Sequence, residues 1–206
     1  MIELVKAGGW VMAPILMCSV LALAIILERA WSLRRSRVLP PALLADLRHW
    51  AEQGSLRIRQ VEGEHAGSPL GRMLRAALVY RQYGREVVKE SIEDTGRHIV
   101  FELERFLNTL GTIATISPLL GLLGTVSGMI EILGIVGQHG SGNFKLMASG
   151  MSEALVATAS GIVVAIPTLV AYRYYRGRVD ELVISLEKEA MLLVDLMQVQ
   201  PARPNA

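Results

Sequence analysis

Residues 146–172 read LMASGMSEALVATASGIVVAIPTLVAY, and Glu153 is the only charged side chain among them. The run is longer than the ~20 predominantly apolar residues that cross a bilayer as a helix. It therefore reads as a membrane span with an acid inside it. A charge at the centre of such a helix costs about 2.5–3.5 kcal/mol on insertion scales, and ionisable residues kept there usually face a bundle interior or a water-filled path. The question posed by this stretch is what charge, ion or partner Glu153 meets.

Two further apolar blocks precede it. Residues 10–27 form the first, with Trp10 and Trp31 as interfacial anchors. Residues 110–136 form the second, interrupted only by Glu131, which lies near one end of its span and can reach the headgroup zone. With 51% hydrophobic residues gathered into these blocks, the chain reads as an all-α integral membrane protein with three transmembrane helices. A cleaved signal peptide fits the first block poorly, because Arg29, Arg34, Arg35 and Arg37 follow the apolar run instead of preceding it.

Basic residues set the expected topology. Arg29 to Arg37 follow the first span, Arg97 and Arg105 precede the second, and Arg173, Arg176 and Arg178 follow the third. The link QHGSGNFK between spans two and three holds a single lysine. The positive-inside rule then places the N-terminus outside and the C-terminus in the cytoplasm. The expected layout is an outer N-terminus and first span (1–30), a cytoplasmic helical region (31–105), a second span (106–137), an outer loop (138–145), a third span (146–174) and a cytoplasmic helix and tail (175–206).

The region between spans one and two carries helix signals. Ser68-Pro69 offers an N-cap followed by proline at the first helical position. Leu70, Met73, Leu74, Ala77 and Leu78 then repeat at helical spacing. After Gly84, the apolar positions Val88, Ile92, Ile99, Leu103, Phe106 and Leu110 run without a breaker into span two, with Gly96 the one weak point. This predicts one helix from 85 to 136, about 75 Å long at 1.5 Å per residue, which must project beyond the bilayer. Span three continues likewise through Val179, Leu182, Leu186 and Leu193. Residues 57–67 read as a loop, and the tail PARPNA reads as disordered.

At 100° per residue, spans two and three each divide into a small and a large face. Gly150, Glu153, Ala154, Ala157, Thr158, Gly161, Ala165 and Thr168 share half of the third. Gly111, Ala114, Ser117, Pro118, Gly121, Gly124, Thr125 and Gly128 share one side of the second. Small faces commonly let helix backbones approach closely. They can equally line a lumen or hold another helix. Packing alone does not explain a glutamate on the small face, nor does it need hydroxyls at Thr125 and Thr158. Pro118 and Pro167 each remove a helical hydrogen bond, freeing the carbonyls of Ala114 and Val163, and are expected kink sites.

Other chemistry is missing from the pattern. Cys18 is the only cysteine, which excludes an intramolecular disulfide and a cysteine-built metal site. The histidines His49, His65, His98 and His139 show no ligand spacing. GLLGTVSG lacks the lysine of a phosphate-binding loop, and no histidine stands at membrane depth to activate Ser117, Ser127 or Ser160. No enzyme activity, cofactor, metal or nucleic-acid partner is expected. An intramembrane acid instead suggests the membrane potential as the energy source, worth ~2.3 kcal/mol per charge per 100 mV.

ISPLLGLLGTVSGMI (residues 116–130) followed by MSEALVATASGIVVAIP (residues 151–167) resembles the signature of the ExbB/TolQ/MotA proton-channel family, and is most like its ExbB branch. The resemblance covers spans two and three closely. It implies an oligomeric bundle in the bacterial inner membrane: a homopentamer around the single spans of a dimeric ExbD-like or TolR-like partner, whose aspartate takes up and releases protons. It assigns Thr125, Glu153 and Thr158 to the proton pathway or lumen. Gly121, Gly124, Gly128, Ala154, Ala157 and Gly161 become helix-packing and partner-facing positions. The implied work is done on TonB, for import of iron-siderophores and vitamin B12, or on TolA in the TolQ branch. A scaffold without a proton role and a self-sufficient transporter are the competing readings. Ser127 departs from the pattern, standing where many relatives have tryptophan.

Overall fold

The computed structural model describes residues 9–53, 66–139 and 144–199. Most of the loop read at 57–67, the centre of the link between spans two and three, and the tail PARPNA lie outside the described residues. Among the described residues, seven α-helices follow in order: α1 (Met12–Ser32), α2 (Arg35–Val38), α3 (Pro41–Gln53), α4 (Pro69–Tyr80), α5 (Arg85–Leu103), α6 (Leu107–His139) and α7 (Phe144–Val199). A 3₁₀ turn, Arg81–Tyr83, joins α4 to α5. No strand occurs among the described residues. The segments Met12–Ser32, Arg85–Gly134 and Met147–Leu192 each hold a window apolar enough to cross a membrane. The all-α, three-span reading with long helices is therefore what the structure has.

The helices group into two compact units. One contains the chain to Arg29 and residues Phe106–Tyr174; the other contains Ala30–Arg105 and Tyr175–Ala206. The first unit is built from apolar helices whose large side chains point outward. Leu119, Leu122, Val126, Met129 and Leu133 of α6 and Leu155, Val163, Ile166 and Val170 of α7 are all exposed. Lipid tails are as apolar as leucine, so these faces gain nothing by hiding from a membrane; close packing between helices falls to the small residues.

The second unit follows soluble-protein rules. Ser68 caps α4 from an extended conformation (φ −71°, ψ 151°), and its Oγ accepts a hydrogen bond from Gly71 N at 3.1 Å, with Pro69 next in line. Leu70, Met73, Leu74, Ala77 and Leu78 are all buried. They share a core with Val88, Ile92, Ile99 and Leu103 of α5 and Val179, Leu182, Leu186 and Ala190 of α7. Gly84 opens α5 with φ 95°, a conformation open to glycine and little else. Arg72–Glu102 (2.5 Å) and Arg85–Asp195 (3.3 Å) are solvent-exposed ion pairs. Such pairs add little to stability, about 0–1 kcal/mol each.

One expectation is corrected. The helix read as continuous from 85 to 136 is interrupted between Leu103 and Leu107. Phe106 has φ 62°, a left-handed conformation that a bulky residue rarely adopts. Its carbonyl then accepts from Leu110 N at 3.0 Å, starting α6 afresh. The cause is tertiary. The guanidinium of Arg29, a buried residue, lies over the Phe106 ring, 5.7 Å from its centroid, and Glu28 holds that guanidinium through contacts of 2.5 and 2.7 Å. Gly96, the expected weak point, instead sits inside α5.

Candidate functional site: the seam between the second and third spans

The small faces of α6 and α7 meet each other. A Cβ added at Gly121 would lie 2.9 Å from Thr158 Cα and 3.1 Å from the Ala157 carbonyl oxygen. One at Gly161 would lie 2.5 Å from the Ser117 carbonyl oxygen and 3.2 Å from Gly121 Cα. One at Gly128 would come within 3.0 Å of Ala154 Cβ, and one at Gly124 would overlap Ala157 Cβ. Ala154, Ala157 and Gly161 are buried accordingly. These glycines allow backbone to touch backbone, which is how helices associate where solvent supplies no hydrophobic drive.

The polar groups of the seam are mostly returned to their own helices. Ser117 Oγ donates to the Ile113 carbonyl at 2.8 Å, Thr168 Oγ1 to Val164 at 2.6 Å, and Thr125 Oγ1 to Leu122 at 2.7 Å. Back-bonding of this kind is the ordinary way a hydroxyl is satisfied in an apolar helix. Thr158 differs. Its Oγ1 crosses to the Gly121 carbonyl of the other helix at 2.9 Å. Both helices continue through their prolines, Pro118 in α6 and Pro167 in α7.

Helix α1 closes one flank of the seam. Val11, Met12 and Ile15 are buried in a cluster with Leu120 and Val164 packed against it. Trp10 Nε1 reaches Ser127 Oγ at 3.5 Å. On this same flank the half-buried Glu153 comes against Gly9: a Cβ at Gly9 would overlap Oε1 and stand 2.9 Å from Cδ. Glu153 therefore lies level with the residues that precede the first turn of α1.

The three polar positions do not converge on one point. Glu153 and Thr158 are five residues apart, which at about 100° per residue sets them about 140° apart around α7. Both border the small face, but on opposite flanks: Glu153 on the side that α1 covers, Thr158 on the other. By the same count Thr125 is about 160° from Ser127 around α6, which puts it on the flank away from α1. Thr125 and Thr158 thus share a flank, while Glu153 keeps company with the head of span one. Sequence reading missed Gly9, Trp10 and Ser127 as neighbours of this site. The pair Gly8-Gly9 ahead of Trp10 was the available signal. Glu131 is exposed near the end of α6. Among the described residues no group of His, Cys, Asp and Glu is placed to hold a metal ion.

A family profile described as the MotA/TolQ/ExbB proton channel family matches residues 65–188, a stretch that contains α4 to α6 and most of α7. The chain belongs to the MotA/TolQ/ExbB proton channel family. Among its relatives, the putative biopolymer transport protein ExbB-like 1 of Synechocystis sp. is 35% identical over 170 residues, covering 81% of this chain and 66% of that protein. The ExbB-like 3 protein of the same organism is 33% identical, covering 83% of this chain and 82% of its own length. The biopolymer transport protein ExbB of Neisseria meningitidis is 29% identical over 77% of each chain. The profile encloses the seam, so Thr125, Glu153 and Thr158 all fall within the part of the chain that the MotA/TolQ/ExbB family shares. With three apolar helices, the chain is a multi-pass membrane protein of this transport family.

Proposed function

We propose that the protein is the channel subunit of a proton-driven motor in a bacterial inner membrane, with its N-terminus outside and its C-terminus in the cytoplasm. The observation that carries this reading is the family match over residues 65–188, which spans both polar-bearing helices. In this reading the subunit works as a homo-oligomer, a pentamer, around an ExbD-like single-span dimer. The partner's aspartate carries the proton past Thr125 and Thr158. Both hydroxyls lie on the flank that α1 leaves open, where a further helix could approach. Glu153, on the covered flank, sets the electrostatics of the wall. The output is work on a TonB-like protein that energises outer-membrane import. A TolQ-type subunit acting on a TolA-like protein would use the same geometry.

The test is proton flux in proteoliposomes holding the chain and a co-expressed single-span partner with an intramembrane aspartate. Glu153→Gln should reduce potential-driven flux at least about tenfold, which corresponds to a loss of roughly 1.4 kcal/mol at the rate-limiting barrier. Flux at the wild-type rate would sink the motor reading. The seam itself favours one rival, a scaffold without a proton role, because close backbone packing already occupies the small residues. A scaffold predicts that Glu153→Gln releases the partner, and that residual activity tracks assembly alone.

A further inference from the structure

Among the described residues, Gly9 comes against the Glu153 carboxyl, and it belongs to none of the motifs in spans two and three. A Cβ at Gly9 would overlap Glu153 Oε1 and approach Cδ to 2.9 Å and Cγ to 3.6 Å. Three successive atoms of one side chain therefore lie along a single glycine, with no room for any other residue. Gly9 also has φ 65°, so its backbone bends in the sense that L side chains resist. The residues that follow Gly9 hold the bend. Met12 N bonds back to the Gly9 carbonyl at 3.2 Å, Trp10 Nε1 reaches Ser127 Oγ of α6, and Val11 is 2% exposed in the apolar cluster against Leu120 and Val164.

We propose that Gly9 is a positioning residue for Glu153: the turn that opens span one is a fixed stop against which the carboxyl is set. The inference rests on the reading of Glu153 as part of the channel wall, and it adds a role for span one in that wall. A glutamate has three side-chain torsions, and ordering such a side chain costs rotamer entropy. The Gly9 backbone, held by Ser127 and the Val11 cluster, restricts those torsions without supplying a charge. Span one then does more than fill space beside the seam. Its first turn decides where the only acid of span three can point.

The experiment uses the full-length chain in native membrane vesicles. In a Cys18→Ser background, Gly9→Cys paired with Glu153→Cys should cross-link with a short bifunctional thiol reagent, while Gly9→Cys paired with Ala159→Cys should not. Absence of the first cross-link overturns the proposal. The second arm measures labelling of Glu153 by a hydrophobic carbodiimide, with mass spectrometry as readout and Glu131 as internal reference. Gly9→Ala should change the Glu153 labelling rate at least about twofold, the low end of coupling between touching groups. Gly9→Asn carries the same clash but tolerates a left-handed backbone, so it should give the same change. In a Glu153→Asp background, where the carboxyl is drawn back by one methylene, Gly9→Ala should change labelling by clearly less. Equal changes in both backgrounds would indicate general strain and overturn the positioning role. Neither arm measures transport. Wild-type proton flux with Glu153→Gln would remove the proposed function and leave the cross-link and labelling results standing.

Discussion

Gly161→Ala tests the seam most directly. The new methyl would sit 2.5 Å from the Ser117 carbonyl oxygen and 3.2 Å from the Cα and N of Gly121. Close C···O contacts between helices begin near 3.3 Å, so the shortfall is about 0.8 Å. All three obstructing atoms are backbone, and no side chain can swing away; α6 and α7 must part by about that distance. Overpacking of this kind costs about 1–3 kcal/mol. The separation also stretches the hydrogen bond from Thr158 to Gly121, and interhelical bonds in membranes contribute about 0.6 kcal/mol, up to about 1.7. The expected loss is therefore roughly 2–4 kcal/mol. Gly134→Ala supplies the opposite sign. It lies in α6 with nothing within 4 Å of a new Cβ, so it should gain about 0.5–1 kcal/mol from helix propensity. Thermal unfolding in detergent micelles, followed by intrinsic tryptophan fluorescence, would rank the two variants. If Gly161→Ala melts at or above Gly134→Ala, the small face is not buried between these helices and the seam is refuted.

Three further outcomes follow from single contacts. Thr158→Val keeps the volume and removes the donor to Gly121, so it should lose about 1 kcal/mol in the same melt, whereas Thr158→Ser should retain most of it. Phe106→Ala should lower stability by about 1–2 kcal/mol, because it loses the ring under Arg29 and leaves the left-handed backbone cost in place. Phe106→Gly should fall between Phe106→Ala and the wild type, because glycine relieves the backbone term. Ser68→Ala should cost about 1 kcal/mol by removing the cap of α4, read as faster amide exchange at the start of that helix.

The spans were legible because a bilayer demands length and apolarity that nothing else in this chain has. The start of α4 was legible too, since Ser68-Pro69 carries its own local chemistry and needs no distant partner. The interruption before α6 was not. No glycine or proline stands between Glu104 and Leu107, and the left-handed Phe106 is supported by Arg29, more than seventy positions away in sequence. The wheel placed Glu153, Thr125 and Thr158 on small faces but left open whether those faces met each other or a cavity. That choice depends on how two helices dock. The geometry of Gly9 depends on a third helix as well. Periodicity reports which residues share a side of one helix; it carries no information about what arrives from another.

The hydrogen bonds of Thr125 and Thr158 have a consequence for ligand choice. A backbone carbonyl can only accept, so each threonine spends its single hydroxyl proton on Leu122 or Gly121. What remains on each oxygen is lone-pair density. Any group that meets this flank must arrive as a donor: a water with a hydrogen turned inward, or a carboxylic acid carrying its proton. An ionised carboxylate, which can only accept, finds no partner in either threonine. In the proposed motor this flank would read protonation state, favouring the neutral acid over its anion without a charge of its own.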